Sequence, residues 1–340
     1  MIEIDFLWVG EETKTGDAIG CRFTDPSTGQ SAIVLIDGGF VETGTRIVEH
    51  VKRHYGTTVV DLVICTHPDN DHIGGLATVI ENLTVRRLLI HRPAQHGFTG
   101  DDYKSGSVED LVRLALRSGT VVDDASFAGT QYFGGALTIA GPSEADYKAF
   151  LSEQAEYNSL SKAVARHYAE AAGTWKRAVR GFLGSDPGET LTGDNGGTTP
   201  RNNTSLICNL SVDGYRALFT GDAGAPALTA AADYLDTVGL GQQPLDFFDV
   251  PHHGSRHNLT KELCDRLLGP TGGNATRGSA YVTVGQKADE HPRPEVVNAI
   301  KRRGYPVFQA RGTNVWWHRG TPDRANYGPI DPLGWLAEID

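Results

Sequence analysis

Apolar positions along the chain follow two periods. Short runs that alternate, or that are continuously β-branched, read as strands; runs that recur every three or four residues read as helices. Ile2, Ile4, Phe6 and Trp8 alternate with Glu3 and Asp5, which predicts a half-exposed opening strand. Gly16 to Phe23 leads into the polar turn Asp25-Pro26-Ser27-Thr28-Gly29, and Ala32 to Ile36 reads as the returning arm of a hairpin. Ile47, Val48 and Val51 have helical spacing within Thr45 to Tyr55, ahead of an apolar strand from Val59 to Cys65. A helix from Ile73 to Leu83, a strand from Val85 to Ile90, a helix from Ser107 to Arg117 and a strand from Leu137 to Ala140 follow. The order is that of an α/β chain.

From Ser143 to about Phe182 the composition shifts to Ala, Glu, Lys and Tyr, which predicts one or two exposed helices. Gly184 to Asn203 is rich in Gly, Asp and Thr and is expected to form a mobile loop or lid. Residues 143–200 therefore read as an insertion in a single domain covering 1–340. Beyond it, Ser205 to Leu210 and Arg216 to Thr220 form a hairpin across Asp213-Gly214. A helix from Ala225 to Val238, a strand from Leu245 to Val250, a strand from Ala280 to Val284 and a helix from Glu295 to Arg303 complete the second half.

Composition narrows the classes. With 340 residues and 39% hydrophobic content, the chain can bury a sizeable core. No apolar run approaches the roughly 20 residues of a membrane span, and the acidic start Met1-Ile2-Glu3-Ile4-Asp5 is unlike a signal peptide. A cytoplasmic protein with no membrane partner is expected. The net charge of −11 argues against coating nucleic acid over the whole surface and leaves room for a local basic groove. Arg86-Arg87 and Arg302-Arg303 are candidate phosphate contacts. Cys21, Cys65, Cys208 and Cys264 are far apart with no Cys-x-x-Cys pair, so they read as buried thiols.

The chemistry concentrates in Thr66-His67-Pro68-Asp69-Asn70-Asp71-His72-Ile73-Gly74-Gly75, a loop between the buried strand and the next helix. His67, Asp69, Asp71 and His72 place four metal-competent side chains within six residues. Asp71 would serve equally as a helix cap. Three strand ends in the second half deliver Asp222, the pair His252-His253 and the loop carrying His291. Adjacent strand residues point to opposite faces, so either His252 or His253 reads as a ligand, with the Gly254 turn able to relax that rule; His253 is the one assigned.

In motif order the chain resembles the metallo-β-lactamase superfamily, and within it the soluble domain of ComEC-type DNA-uptake competence proteins. The resemblance rests on Gly16-Asp17-Ala18, Ile36-Asp37-Gly38-Gly39, Thr66 to Gly75, Asn202-Asn203-Thr204-Ser205-Leu206, Thr220-Gly221-Asp222, Pro251 to Ser255 and His291 to Glu295. It departs from that family in the long 143–200 segment, in Gln286 to Glu290 and in lacking a membrane channel.

The resemblance implies an αββα sandwich of two mixed sheets flanked by helices, and two divalent ions, zinc or manganese. By it, His67 and Asp69 hold one ion, Asp71, His72 and His253 the other, and Asp222 bridges. Asp69 stands where most of the superfamily has histidine, which hardens the site. Asp71, His252 and His291 are the expected catalytic residues, His252 and His291 facing phosphate or the leaving group. His291 would alternatively be an ordinary helix-start residue. Asp37 and Ser255 are expected to support ligands or substrate. Asn203 is expected to orient Asp222 or the attacking water, or else to cap the following strand.

The function implied is hydrolysis of a phosphodiester, with single-stranded nucleic acid or a nucleotide as substrate. Ester or thioester hydrolysis by the same metals is the alternative. From another class, the fold would be kept as a regulatory module with a protein partner on the 143–200 insertion.

Overall fold

A computed structural model describes residues 1–10, 12–168, 182–183, 185–191, 198–272, 275–325 and 327–338. Part of the expected insertion and part of the expected lid lie outside these residues. Among those described, the insertion contributes one helix, Glu144–Tyr168.

Two seven-stranded mixed sheets face each other. In the first the order is Val315–Arg319, Ile2–Phe6, Ile19–Thr24, Ser31–Ile36, Leu62–Cys65, Arg87–Ile90 and Val121–Asp123. Its first four strands pair antiparallel and its last four parallel. The second repeats that arrangement with Val307–Ala310, Ser279–Thr283, Phe247–Asp249, Tyr215–Phe219, Ile207–Val212, Leu137–Gly141 and Gln131–Tyr132, parallel first and antiparallel afterwards. Phe6, Phe219, Phe247, Tyr281 and Trp317 fill the space between the sheets. Helices Thr43–His50, Leu76–Asn82 and Ser105–Arg117 cover the outer face of the first sheet. Ala225–Thr237, Lys261–Leu268 and Pro294–Arg302 cover the second. The architecture is the expected αββα sandwich.

Local chemistry explains several elements. The 213–214 hairpin turns through two residues of positive φ, Asp213 at 53° and Gly214 at 82°, the geometry whose twist matches paired strands. The helix expected over Ile73 to Leu83 is instead two pieces, Asn70–Ile73 and Leu76–Asn82, broken at Gly74-Gly75. A Cβ on Gly75 would lie 2.2 Å from the Gly38 carbonyl oxygen, so glycine there lets the metal loop press against the Asp37 turn. All four cysteines are free and buried.

The opening strand departs from expectation. Alternation predicts that Glu3 and Asp5 face solvent, yet both are fully buried. Arg324, from the C-terminal segment, donates to Asp5 Oδ1 and Glu3 Oε2, both at 2.6 Å. Arg22 and Trp316 close on Glu3, and Tyr55 on Asp5. The acidic residues do mark the strand's second face, but that face is roofed by side chains remote in sequence.

Candidate metal centre

The strand Leu62–Cys65 ends at Thr66, and the loop after it is tied down by Asp37. Asp37 Oδ1 accepts from the Thr66 backbone N–H at 2.7 Å, and Oδ2 accepts from the Thr66 hydroxyl at 2.6 Å. The same Oδ2 meets His72 Nδ1 at 2.7 Å. A carboxylate only accepts, so His72 Nδ1 carries the proton and Nε2 carries the lone pair. The Thr66 hydroxyl, having donated to Asp37, accepts from His67 Nδ1 at 3.2 Å, which leaves the lone pair of His67 on Nε2 as well.

Asp222 follows Gly221, whose positive φ of 49° bends the chain back over Thr66, where any Cβ would meet the Thr66 hydroxyl at 2.9 Å. Its carboxylate faces four imidazoles. Oδ1 lies 3.3 Å from His72 Nε2 and 3.8 Å from His253 Nε2; Oδ2 lies 3.8 Å from His67 Nε2 and 3.5 Å from His252 Nε2. Both adjacent histidines reach it because the strand has already ended: His252 and His253 adopt left-handed φ of 50° and 56°, which suspends strand alternation. The backbone thus brings together what alternation would separate.

Asn258 fixes the His252 ring. Its amide N–H groups go to the Asp222 and Ala223 carbonyls at 2.9 and 3.1 Å, so its oxygen accepts from His252 Nδ1 at 3.1 Å. A contact from Asn202 Nδ2 would need the opposite tautomer, but at 3.4 Å it is longer than the bond to Asn258, and Asn202 Nδ2 donates to Thr198 at 2.9 Å. His252 Nε2 therefore also presents a lone pair toward Asp222.

Among the described residues, ligand atoms of Asp17, His72, Asp222 and His253 all lie within 4.8 Å of one another, and all four are buried. His253 Nδ1 is 3.6 Å from Asp17 Oδ1. These separations are too long for charge-assisted hydrogen bonds, which run to about 2.9 Å. They match ligands sharing an ion: tetrahedral bonds of about 2.1 Å place neighbouring ligand atoms roughly 3.4 Å apart. His67 Nε2, His72 Nε2, Asp222 Oδ1 and both nitrogens of His253 are buried without a hydrogen-bond partner. Each such orphan costs roughly 1–3 kcal/mol. A divalent cation in the converging set would partner His72 Nε2, Asp222 Oδ1 and one nitrogen of His253, and mixed imidazole and carboxylate donors suit such an ion.

The electrostatics agree. Burial pushes His72 down, but Asp222 and Asp37 outweigh it and hold the ring well above its ordinary range. Burial likewise opposes protonation of His253, which Asp17 and Asp222 raise to about 9. Burial raises Asp222, but His252, His72 and His253 pull it well below the usual carboxylate range. Burial, reinforced by Asp17, pushes Asp249 well above that range. In the metal-free protein the shifts of His72 and His253 favour positive charge beside the Asp222 carboxylate.

A pH dependence follows. His253 titrates higher folded, at about 9, than unfolded, near 6.5. Its contribution is complete below about pH 6.5 and is lost as pH rises through 9, an effect of roughly 3 kcal/mol at most. Melting in chelator should therefore fall across that interval, while the stabilisation gained on adding metal should grow. A metal-free melting temperature that rises over the same interval would contradict this sign.

The other expected residues are placed as follows. Asp71 sits at the rim, its carboxylate 4.0 Å from His72 Nε2 and 30% exposed. Asp69 keeps Oδ2 3.8 Å from His67 Nε2 but is paired with Arg201, whose Nε and Nη2 reach its two oxygens at 2.5 and 3.1 Å. Asn203 Oδ1 accepts from the Gly224 N–H at 2.9 Å, bracing the helix that follows Asp222. Ser255 closes the histidine turn through its N–H to the His252 carbonyl at 3.0 Å. The His291 ring lies 6.5 Å from that of His252 and nearly parallel to it. The arginine pairs considered for phosphate all meet carboxylates: Arg86 with Asp61, Arg87 with Asp123, Arg302 with Asp186, and buried Arg303 with Asp265 and Glu189.

Asp17, Asn258, Thr66 and Arg201 were not singled out as site residues by sequence. Asp17 had a signal, its place in Gly16-Asp17-Ala18; Asn258 and Arg201 had none.

Comparison with known proteins adds the family. Among solved structures, similar chains include a metallo hydrolase from the hyperthermophilic archaeon Ignicoccus hospitalis KIN4/I, 12% identical, covering 93% of this chain and 99% of that one, TM-score 0.44. A diphosphatase of the PhnP family is 11% identical over 93% of this chain and 98% of its own, TM-score 0.42. A metallo beta lactamase from Hirschia baltica is 14% identical over 71% and 82%, TM-score 0.30. A comparison with curated proteins found no match. The family model for the metallo-beta-lactamase superfamily matches residues 28–266, from the first hairpin through the histidine turn, and the chain belongs to that superfamily.

Proposed function

We propose that the chain is a divalent-metal-dependent phosphodiesterase acting on single-stranded nucleic acid or a nucleotide. The observation that carries the metal dependence is one buried carboxylate, Asp222, facing the Nε2 atoms of His67, His72, His252 and His253. On its Oδ1 side Asp17, His72 and His253 complete a ligand set. On its Oδ2 side stand His67 and His252, with the expected Asp69 engaged by Arg201.

A bound divalent ion supplies Lewis acidity, activating water at neutral pH and offsetting charge on the phosphoryl group. The chain's own residues do the rest. Asp37 and Asn258 hold three imidazoles in the tautomer that aims Nε2 inward, directly or through Thr66. His252, 29% exposed at its side chain, and His291 form the accessible rim. In hydrolysis a bond from water oxygen to phosphorus forms, the bond to the leaving oxygen breaks, and the water's proton ends on that oxygen; these rim imidazoles are placed to carry it. The phosphodiester class is supported by the motif resemblance to competence-type domains, and the net charge of −11 favours a short or single-stranded substrate over a wrapped duplex.

The test is a panel: metal-loaded protein with a phosphodiester reporter, single-stranded DNA, duplex DNA, RNA, a cyclic dinucleotide and a carboxylic ester reporter. Chelator-sensitive turnover of at least one phosphodiester is expected. Turnover of the ester alone would move the protein to ester or thioester hydrolysis. Inertness on all six would favour a regulatory module.

A further inference from the structure

We infer that Arg201 takes the place of a second metal ion, so that the chain binds one divalent ion and a fixed guanidinium supplies the neighbouring positive charge. This rests on reading the Asp222 cluster as a metal centre. Asp69 is the residue that the loop offers to an ion on the His67 side, yet both of its oxygens are held in a two-point pair with Arg201.

The arginine is not a passing surface partner. Its backbone N–H donates to Gln154 Oε1 at 2.7 Å, its Nη1 donates to the Asp102 carbonyl at 3.1 Å, and its carbonyl accepts from Thr204 Oγ1 at 2.6 Å. The insertion helix, the 101–103 turn and the segment just before the Asn202-Asn203 motif thus converge to hold one guanidinium against the metal loop. The converging ligand set agrees, since it contains Asp17, His72, Asp222 and His253 and excludes Asp69.

Charge explains why a guanidinium and a second ion would compete. Asp17 and Asp222 bring two negative charges into the converging set, which one divalent ion balances. Asp69 is balanced by Arg201. A second divalent ion on the His67 side would sit beside a permanent cation that cannot lose its proton. The same guanidinium, about one-fifth exposed, is suited to a phosphoryl oxygen through its planar donors, a role the second ion would otherwise fill.

The experiment is metal stoichiometry. Metal-free wild type, Arg201→Lys, Arg201→Gln and Asp69→Asn are dialysed to equilibrium against Mn²⁺ or Zn²⁺, and bound metal is measured by mass spectrometry. Wild type, Arg201→Lys and Asp69→Asn should each bind one ion per chain, and Arg201→Gln should approach two. Two ions on wild type, one on Arg201→Gln, or loss of the ion in Asp69→Asn would overturn the inference while leaving the metal centre standing. Absence of metal from all four proteins would remove the metal centre and this inference with it. Should Arg201→Gln fail to fold, wild type and Asp69→Asn still decide.

Discussion

Asp222→Asn is expected to abolish stable metal binding and, with it, hydrolysis. The substitution keeps the shape of the side chain and removes its charge, and Asp222 is the group on which His67, His72, His252 and His253 converge. With a neutral amide there, the four imidazoles lose the one anion they share, and the raised proton affinities of His72 and His253 lose one of their causes. Metal affinity should fall roughly 100-fold or more and kcat/KM at least 10²–10³-fold. Dialysis against graded metal and the phosphodiester assay read the two effects. A variant that keeps wild-type metal affinity would show that Asp222 is not the centre of the site.

The second large effect is on stability. Arg324→Met should destabilise the fold by about 3–5 kcal/mol, because Glu3 and Asp5 are fully buried and Arg324 is hydrogen-bonded to both, so its loss leaves a buried negative charge uncompensated. For a chain of this length that is a fall of roughly 4–7 °C in melting temperature. Burial alone would raise the Asp5 carboxyl, yet His50 and Arg324 hold it below its ordinary value. Metal stoichiometry should stay at the wild-type figure. A variant that melts with wild type would mean that the remaining contacts of Arg22, His50 and Tyr55 already suffice to hold the buried pair.

The contrast between Asp5 and Asp222 shows what was legible in the sequence. Asp222 was readable because Thr220-Gly221-Asp222 closes a strand and glycine turns are local; the same holds for His67, His72 and the 213–214 hairpin. The alternation that marks Asp5 is also local, but what covers it is not. Arg324 lies more than three hundred residues away, so alternation predicted solvent where the fold supplies a guanidinium. Strand alternation failed again at His252-His253, because a left-handed turn is a backbone state that the letters His-His do not announce. Asp69 and Arg201 show the limit most sharply. Each residue type was visible, but their pairing depends on how the insertion helix and the 101–103 turn close on the metal loop, which no local pattern encodes.

The most direct test is anomalous diffraction from crystals grown with zinc. A peak is expected beside Asp222 Oδ1, within about 2.2 Å of ligand atoms of His72, His253 and Asp222. A cluster without a peak, or with zinc bound only at surface histidines, would contradict the assignment of this site as a metal centre.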